Sequence, residues 1–147
     1  MIGRLSRRLR PTAAATAAGL TPTRVTVLLA VVGEGEVRLS ELSRAEGINP
    51  TMLSRVVADL SEAGLVERLS DLGDKRAAWV RATNAGRRLA ERMRRERTDA
   101  VKLALERLSA SDRKCIDDAI PALEALADEL KRVPRPAARR VRDEVRR

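Results

Sequence analysis

The sequence predicts a mainly α fold with a small β-wing (α+β), and three observations predict it. Apolar residues recur at helical spacing through most of the 147 residues. The period shifts to that of strands only near 65–82. Trp79 is the single aromatic, with no Phe or Tyr, so the core must be built from Leu, Val, Ile, Ala and Met, which suits packed helices better than a sandwich of sheets.

The elements follow in order. Ile2, Leu5 and Leu9 open a first helix over 2–18, kinked at Pro11, where the ring removes a backbone donor, and ended by Gly19. Thr21-Pro22 reads as an N-cap and first-turn proline of a second helix whose apolar positions are Val25, Leu28, Leu29 and Val32; Gly33-Glu34-Gly35 stops it. Val37-Arg38-Leu39 is a short extended piece. Ser40 is expected to cap a third helix that closes at Gly47, a candidate left-handed residue. Asn49-Pro50 repeats the cap-and-proline signal and starts a fourth helix reaching about Ala63, before Gly64.

Leu65 to Leu69 and Ala77 to Ala82 read as two strands of a hairpin, joined by a polar tip over 71–76. Thr83 caps a long helix running to about Leu108. Ser109, with Asp112 in a capping-box position, starts another that reaches about Arg132 and contains Pro121, where a bend is expected. Pro134 and Pro136 follow.

Composition excludes much chemistry. With no histidine, a Ser-His-Asp triad and any His-based zinc site are ruled out, and no phosphate-cradling glycine loop or nucleophile constellation is present. No catalytic residue, metal or cofactor is expected, and the chain does not read as an enzyme. Cys115 alone precludes an intrachain disulfide and fits a reducing, cytoplasmic setting; it reads as an inert packed residue rather than a redox sensor, although Arg113 and Lys114 adjoin it. No run is long and apolar enough to span a membrane, and Met1 to Arg10 lack the apolar core of a secretory signal.

The net charge of +9 suits a polyanionic partner. Its location is less helpful. Residues 1–10 carry four arginines and no acid, 135–147 carry six arginines against two acids, and 11–134 hold 20 basic and 19 acidic residues. The excess lies at the two ends, so placement within the motifs has to identify a reading surface.

Residues 50–63 have that placement. Leu53, Val56, Val57 and Leu60 form one apolar stripe, leaving Thr51, Ser54, Arg55 and Ala58 on the other side. A helix that enters the major groove needs this division, with short polar side chains near its N-terminus. Arg55 suits a bidentate contact to guanine, and Thr51 and Ser54 suit phosphates or base edges. Asp59 and Glu62 come late in the helix, away from where a duplex would lie. Any amphipathic surface helix leaves such residues in solvent; the short glycine-turned helix before it and the hairpin after it favour a winged helix-turn-helix that binds double-stranded DNA. Met52 and Met93 read as core fillers, and Trp79 as an anchor of the hairpin.

Several segments in this order resemble the multiple-antibiotic-resistance regulator (MarR) family over nearly the whole chain: Leu20-Thr21-Pro22-Thr23, Leu39-Ser40-Glu41-Leu42, 48–57, 63–68, the wing residues 71–76, and Thr83-Asn84-Ala85-Gly86-Arg87. The resemblance implies a transcription regulator, with DNA-contacting residues Asn49, Pro50, Thr51, Ser54 and Arg55 on the reading helix and Asp74, Lys75 and Arg76 on the wing. Arg76 would enter the minor groove and Asp74 would orient it; the competing reading is a solvated ion pair closing the turn.

The resemblance also implies a homodimer built from the N-terminal helix (1–20) and two long helices (84–133), flanking a DNA-binding region (21–83) and followed by a basic tail (134–147). Leu5 and Leu9 offer a small apolar row for it, and Ile116, Ile120, Leu123, Leu126, Leu130 and Val133 a larger one. The implied activity is repression at a pseudo-palindromic operator, relieved by a small aromatic or phenolic effector in a cleft beside the dimer helices. The arginines 87, 88, 92, 94, 95 and 97, interleaved with acids, read first as a solvated face, and some could pair with an effector carboxylate. The competing function is architectural: a winged helix that coats or bends DNA with little sequence choice and no ligand.

Overall fold

The computed structural model describes residues 12–70 and 78–133, together with Gly3, Arg4 and Arg8, which are helical. The expected kink at Pro11, the apolar positions Ile2, Leu5 and Leu9, the wing tip 71–77 and the basic tail lie outside the described residues. The chain divides into two compact units, Met1–Lys102 and Leu103–Arg147.

In the first unit, α1 (Ala13–Ala17) starts at Thr12, whose buried hydroxyl accepts from the Ala15 amide at 3.2 Å. The Ala14 amide donates to both carboxylate oxygens of Glu96, at 3.1 and 3.2 Å, satisfying a donor that the helix itself leaves open. Helix α2 (Pro22–Glu34) is capped by Thr21 as expected, but it runs through Gly33 and ends only at Gly35, where φ is 83°.

Strand β1 (Val37–Arg38) feeds directly into α3 (Leu39–Glu46). The N-cap is therefore Arg38, with no side-chain cap bond, and not Ser40 as the sequence suggests. Arg38 pairs with Trp79 in the sheet, and its extended backbone ends the strand and starts the helix at one residue. Gly47 closes α3 in the left-handed conformation, and the turn is cross-braced by Ser43, whose hydroxyl donates to the Ile48 carbonyl at 2.7 Å. Asn49 then caps α4 (Pro50–Glu62) by accepting from the Thr51 amide at 2.8 Å.

The hairpin strands are β2 (Val66–Ser70) and β3 (Ala78–Ala82), and β1 joins them in an antiparallel sheet of order β1-β3-β2. The extended piece read at Val37-Arg38 is the third strand of the sheet, and its pairing with the two-stranded hairpin is what the local sequence did not show. Val66, Val80 and Ala82 face the core, while Glu67, Trp79 and Arg81 lie on the other face.

Helix α5 (Asn84–Glu106) begins at Thr83, whose hydroxyl accepts from the Gly86 amide at 3.1 Å and donates to the Gly64 carbonyl at 2.6 Å. Gly86 is required there. A Cβ at this position would stand 2.0 Å from the Leu65 carbonyl oxygen. The single core gathers Val27, Leu28 and Val31 of α2, Leu42 of α3, the stripe of α4, the inner face of the sheet, and Leu89, Ala90 and Met93 of α5.

In the second unit, α6 (Ala110–Arg132) is capped by Ser109, which accepts from the Asp112 amide at 3.0 Å and donates to the Asp112 carboxylate at 2.7 Å. The helix is continuous through Pro121. Its apolar row, Ile116, Ile120, Leu123, Leu126 and Leu130, is 40% to 62% exposed. Cys115 is exposed as well, which corrects the expectation of a packed thiol: it lies in the second turn of a helix that buries none of its described side chains.

Candidate nucleic-acid interface

The division of α4 into two faces is complete. Leu53, Val56, Val57 and Leu60 are no more than 7% exposed, and that packing turns Thr51, Ser54 and Arg55 outward into solvent. The helix begins at Asn49-Pro50, so the positive end of its dipole lies beside Thr51, whose own amide is held by the Asn49 side chain. The resulting surface carries a hydroxyl pair, a guanidinium and the positive pole of a helix, a combination suited to an anionic, hydrogen-bonding partner.

Met52 is a correction. It is 51% exposed and flanks Thr51 on the outward side, whereas Met93 is fully buried as expected. The two methionines differ because only position 93 falls on the stripe of its own helix that meets the core. In α4, position 52 precedes the Leu53 stripe by one residue and is rotated away from it by roughly 100°.

Two arginines that the sequence did not single out approach the reading helix from its neighbours. Arg24 of α2 donates to the Asp59 carboxylate at 2.6 Å, and Arg68 of β2 donates to the Ser54 carbonyl oxygen at 2.8 Å. Strand alternation was the available signal for Arg68: it shares a register line with buried Val80 and so belongs to the face that meets the helices.

The root of the wing is braced on its outer face. Arg81 donates through Nε to Glu67 at 2.7 Å and through Nη1 to Glu36 at 3.1 Å, linking β3 to β2 and to the residue before β1. These bonds hold the Arg81 guanidinium above the usual arginine range, the hydrogen bond to Glu67 contributing most and that to Glu36 next. Arg38 stacks over Trp79, 4.9 Å from the ring centroid, so the half-buried Trp79 secures β3 to β1, in keeping with its expected anchoring role. Asp74, Lys75 and Arg76 lie outside the described residues.

A cleft of about 860 Å³ opens beside α5, with Ala18, Val32, Leu65 and Leu89 on its apolar side and Arg88 and Arg92 among its charged groups. Among the described residues no cluster of His, Cys, Asp or Glu could hold a metal ion, and no helix is long and apolar enough to cross a membrane.

Residues 18–77 match the model of the MarR family. Over this segment the chain is similar to that family, and the fold is a winged helix. The wider chain is 29% identical over 126 residues to a helix-turn-helix-type transcriptional regulator of Mycobacterium bovis, an alignment covering 86% of this chain and 87% of that one. Its fold matches NadR, solved with 4-hydroxyphenylacetate, at a TM-score of 0.70 with 22% identity, covering 89% of this chain and 86% of that one. It also matches FabT of Streptococcus pneumoniae, solved in complex with DNA, at a TM-score of 0.60 with 16% identity, covering 74% and 76%. Of these, the Mycobacterium bovis protein is named a transcriptional regulator. In the terms of that fold, α3 and α4 form the helix-turn-helix, and β2 and β3 the strands of the wing.

Proposed function

We propose that this chain regulates transcription as a homodimer that binds a pseudo-palindromic DNA operator, acting as a repressor that a small molecule releases. The carrying observation is α4: its apolar stripe is buried while Thr51, Ser54 and Arg55 are held outward beside the capped N-terminus at Asn49-Pro50. In this reading Arg55 takes guanine through two parallel hydrogen bonds, Thr51 and Ser54 contact phosphates or base edges, and the wing residues Asp74, Lys75 and Arg76 reach the adjacent minor groove. The DNA complex of FabT supports the use of this fold on duplexes.

Dimer formation is supported by the exposed row of α6, whose burial against a second copy removes apolar surface that one chain leaves in water. Two reading helices about a two-fold axis then meet half-sites about 10 bp apart. Release is supported by the cleft beside α5. Its arginines suit a carboxylate, and NadR was solved with a phenolic acid. Trp79 is absent from the lining, so an aromatic effector would be held by charge and aliphatic contact and not by stacking.

Selection of bound duplexes from a random library tests the reading. The expected product is a two-fold symmetric site, and Arg55→Ala should relax base preference at one position per half-site, a loss of about 1–3 kcal/mol of discrimination. Equal binding of specific and random duplexes at moderate salt would replace regulation with the architectural function.

A further inference from the structure

We infer that Arg24 and Arg68 are positioning residues that pin the rotation of α4 about its own axis, so that Arg55 meets a single base edge. The inference rests on α4 being the DNA-reading helix. Arg68 donates to the Ser54 carbonyl at 2.8 Å from β2, and Arg24 donates to Asp59 at 2.6 Å from α2. At roughly 100° per residue, Ser54 and Asp59 stand about 140° apart around the helix, and Arg55 falls between them. The two tethers therefore reach α4 from separate elements, on either side of the residue that does the reading. One tether would leave the helix free to roll away from it; two oppose rolling in both senses.

The buried stripe restrains the helix by packing, and the two tethers add directional contacts at either edge of it. Leu53, Val56, Val57 and Leu60 hold α4 against the core, but apolar contact carries no preferred angle of its own beyond the fit of the side chains. Hydrogen bonds are directional and set an angle. The Arg24 and Asp59 side chains are 33% and 32% exposed, and an ion pair so open to water contributes little to stability. Its consequence should accordingly appear in base discrimination and not in folding. The same bond engages Asp59, the acid on α4 nearest the reading residues, with a cation of α2.

The test compares wild type with Arg24→Met, Arg68→Met, Arg24→Lys and Arg68→Lys. Each protein is titrated with a duplex enriched by wild type and with a shuffled duplex, across a salt series, alongside thermal melting. Each Met variant should lower the specific-to-shuffled affinity ratio by roughly threefold to tenfold, the scale of one lost hydrogen bond. The melting temperature and the salt slope should stay near wild type, and the Lys variants, which keep a donor, should recover part of the ratio.

Met variants that match wild type in ratio overturn the pinning. So does a salt slope that falls by about one with equal loss on both duplexes, because that marks a phosphate contact. A Met variant that unfolds, while its Lys counterpart folds with an unimproved ratio, also overturns it. If wild type itself fails to distinguish the duplexes, the DNA-reading function falls and not the pinning alone.

Discussion

Helices α4 and α6 are both amphipathic, both open on a side-chain cap, and both carry apolar residues every three or four positions, yet their apolar faces have opposite fates. The stripe of α4 is at most 7% exposed, whereas the row of α6 is at least 40% exposed. Helical periodicity announces that a face must be covered; it does not say by what. In α4 the cover comes from α2, α3 and β2 of the same chain. In α6 the row stays exposed among the described residues, and the cover proposed for it is the same row of a second copy.

Four experiments can break or sharpen that contrast. Leu60→Ala empties a fully buried site on α4 and should cost about 2–5 kcal/mol in denaturant unfolding, independent of protein concentration. The paired change Ile120→Asp and Leu123→Asp on α6 should instead raise the dimer dissociation constant about a hundredfold, near 2.7 kcal/mol, read by sedimentation. A wild-type chain that sediments as a monomer at every concentration would end the proposed dimer.

Gly86→Ala drives a methyl into the Leu65 carbonyl where α5 crosses the root of the wing, and should cost about 1–3 kcal/mol, read as a lower melting temperature. No change would mean that the two backbones separate freely. The smallest effect is expected from Asn49→Ala, which removes the cap on the Thr51 amide and should cost about 1 kcal/mol in the same assay.

Local signals were legible wherever a side chain acts on its own backbone. Thr21, Asn49, Thr83 and Ser109 cap the helices they were expected to cap, and the four stripe residues of α4 are the four that the spacing selects. Ser40 failed as a cap because a two-residue strand, set by pairing with a segment some 40 positions later, starts α3 two residues earlier than the local pattern implies. Met52 failed as a core residue because composition says that methionine packs well, while only the angle around the helix decides whether it faces the core. Half of the proposed site, the outward residues of α4, could be seen before the fold was known. The arginines that hold it could not, since Arg24 and Arg68 lie far from α4 partners in sequence and carry no motif.

The sequence alone determined the order of elements, the helix starts other than that of α3, and the apolar faces, because caps, prolines and 3.6-residue periods act over a few neighbouring residues. Only the tertiary structure decided that β1 joins the wing, that Gly86 must lack a side chain, and that two arginines grip the reading helix from α2 and β2. Those features depend on distances between segments remote in sequence, which exist only after the core has brought them together.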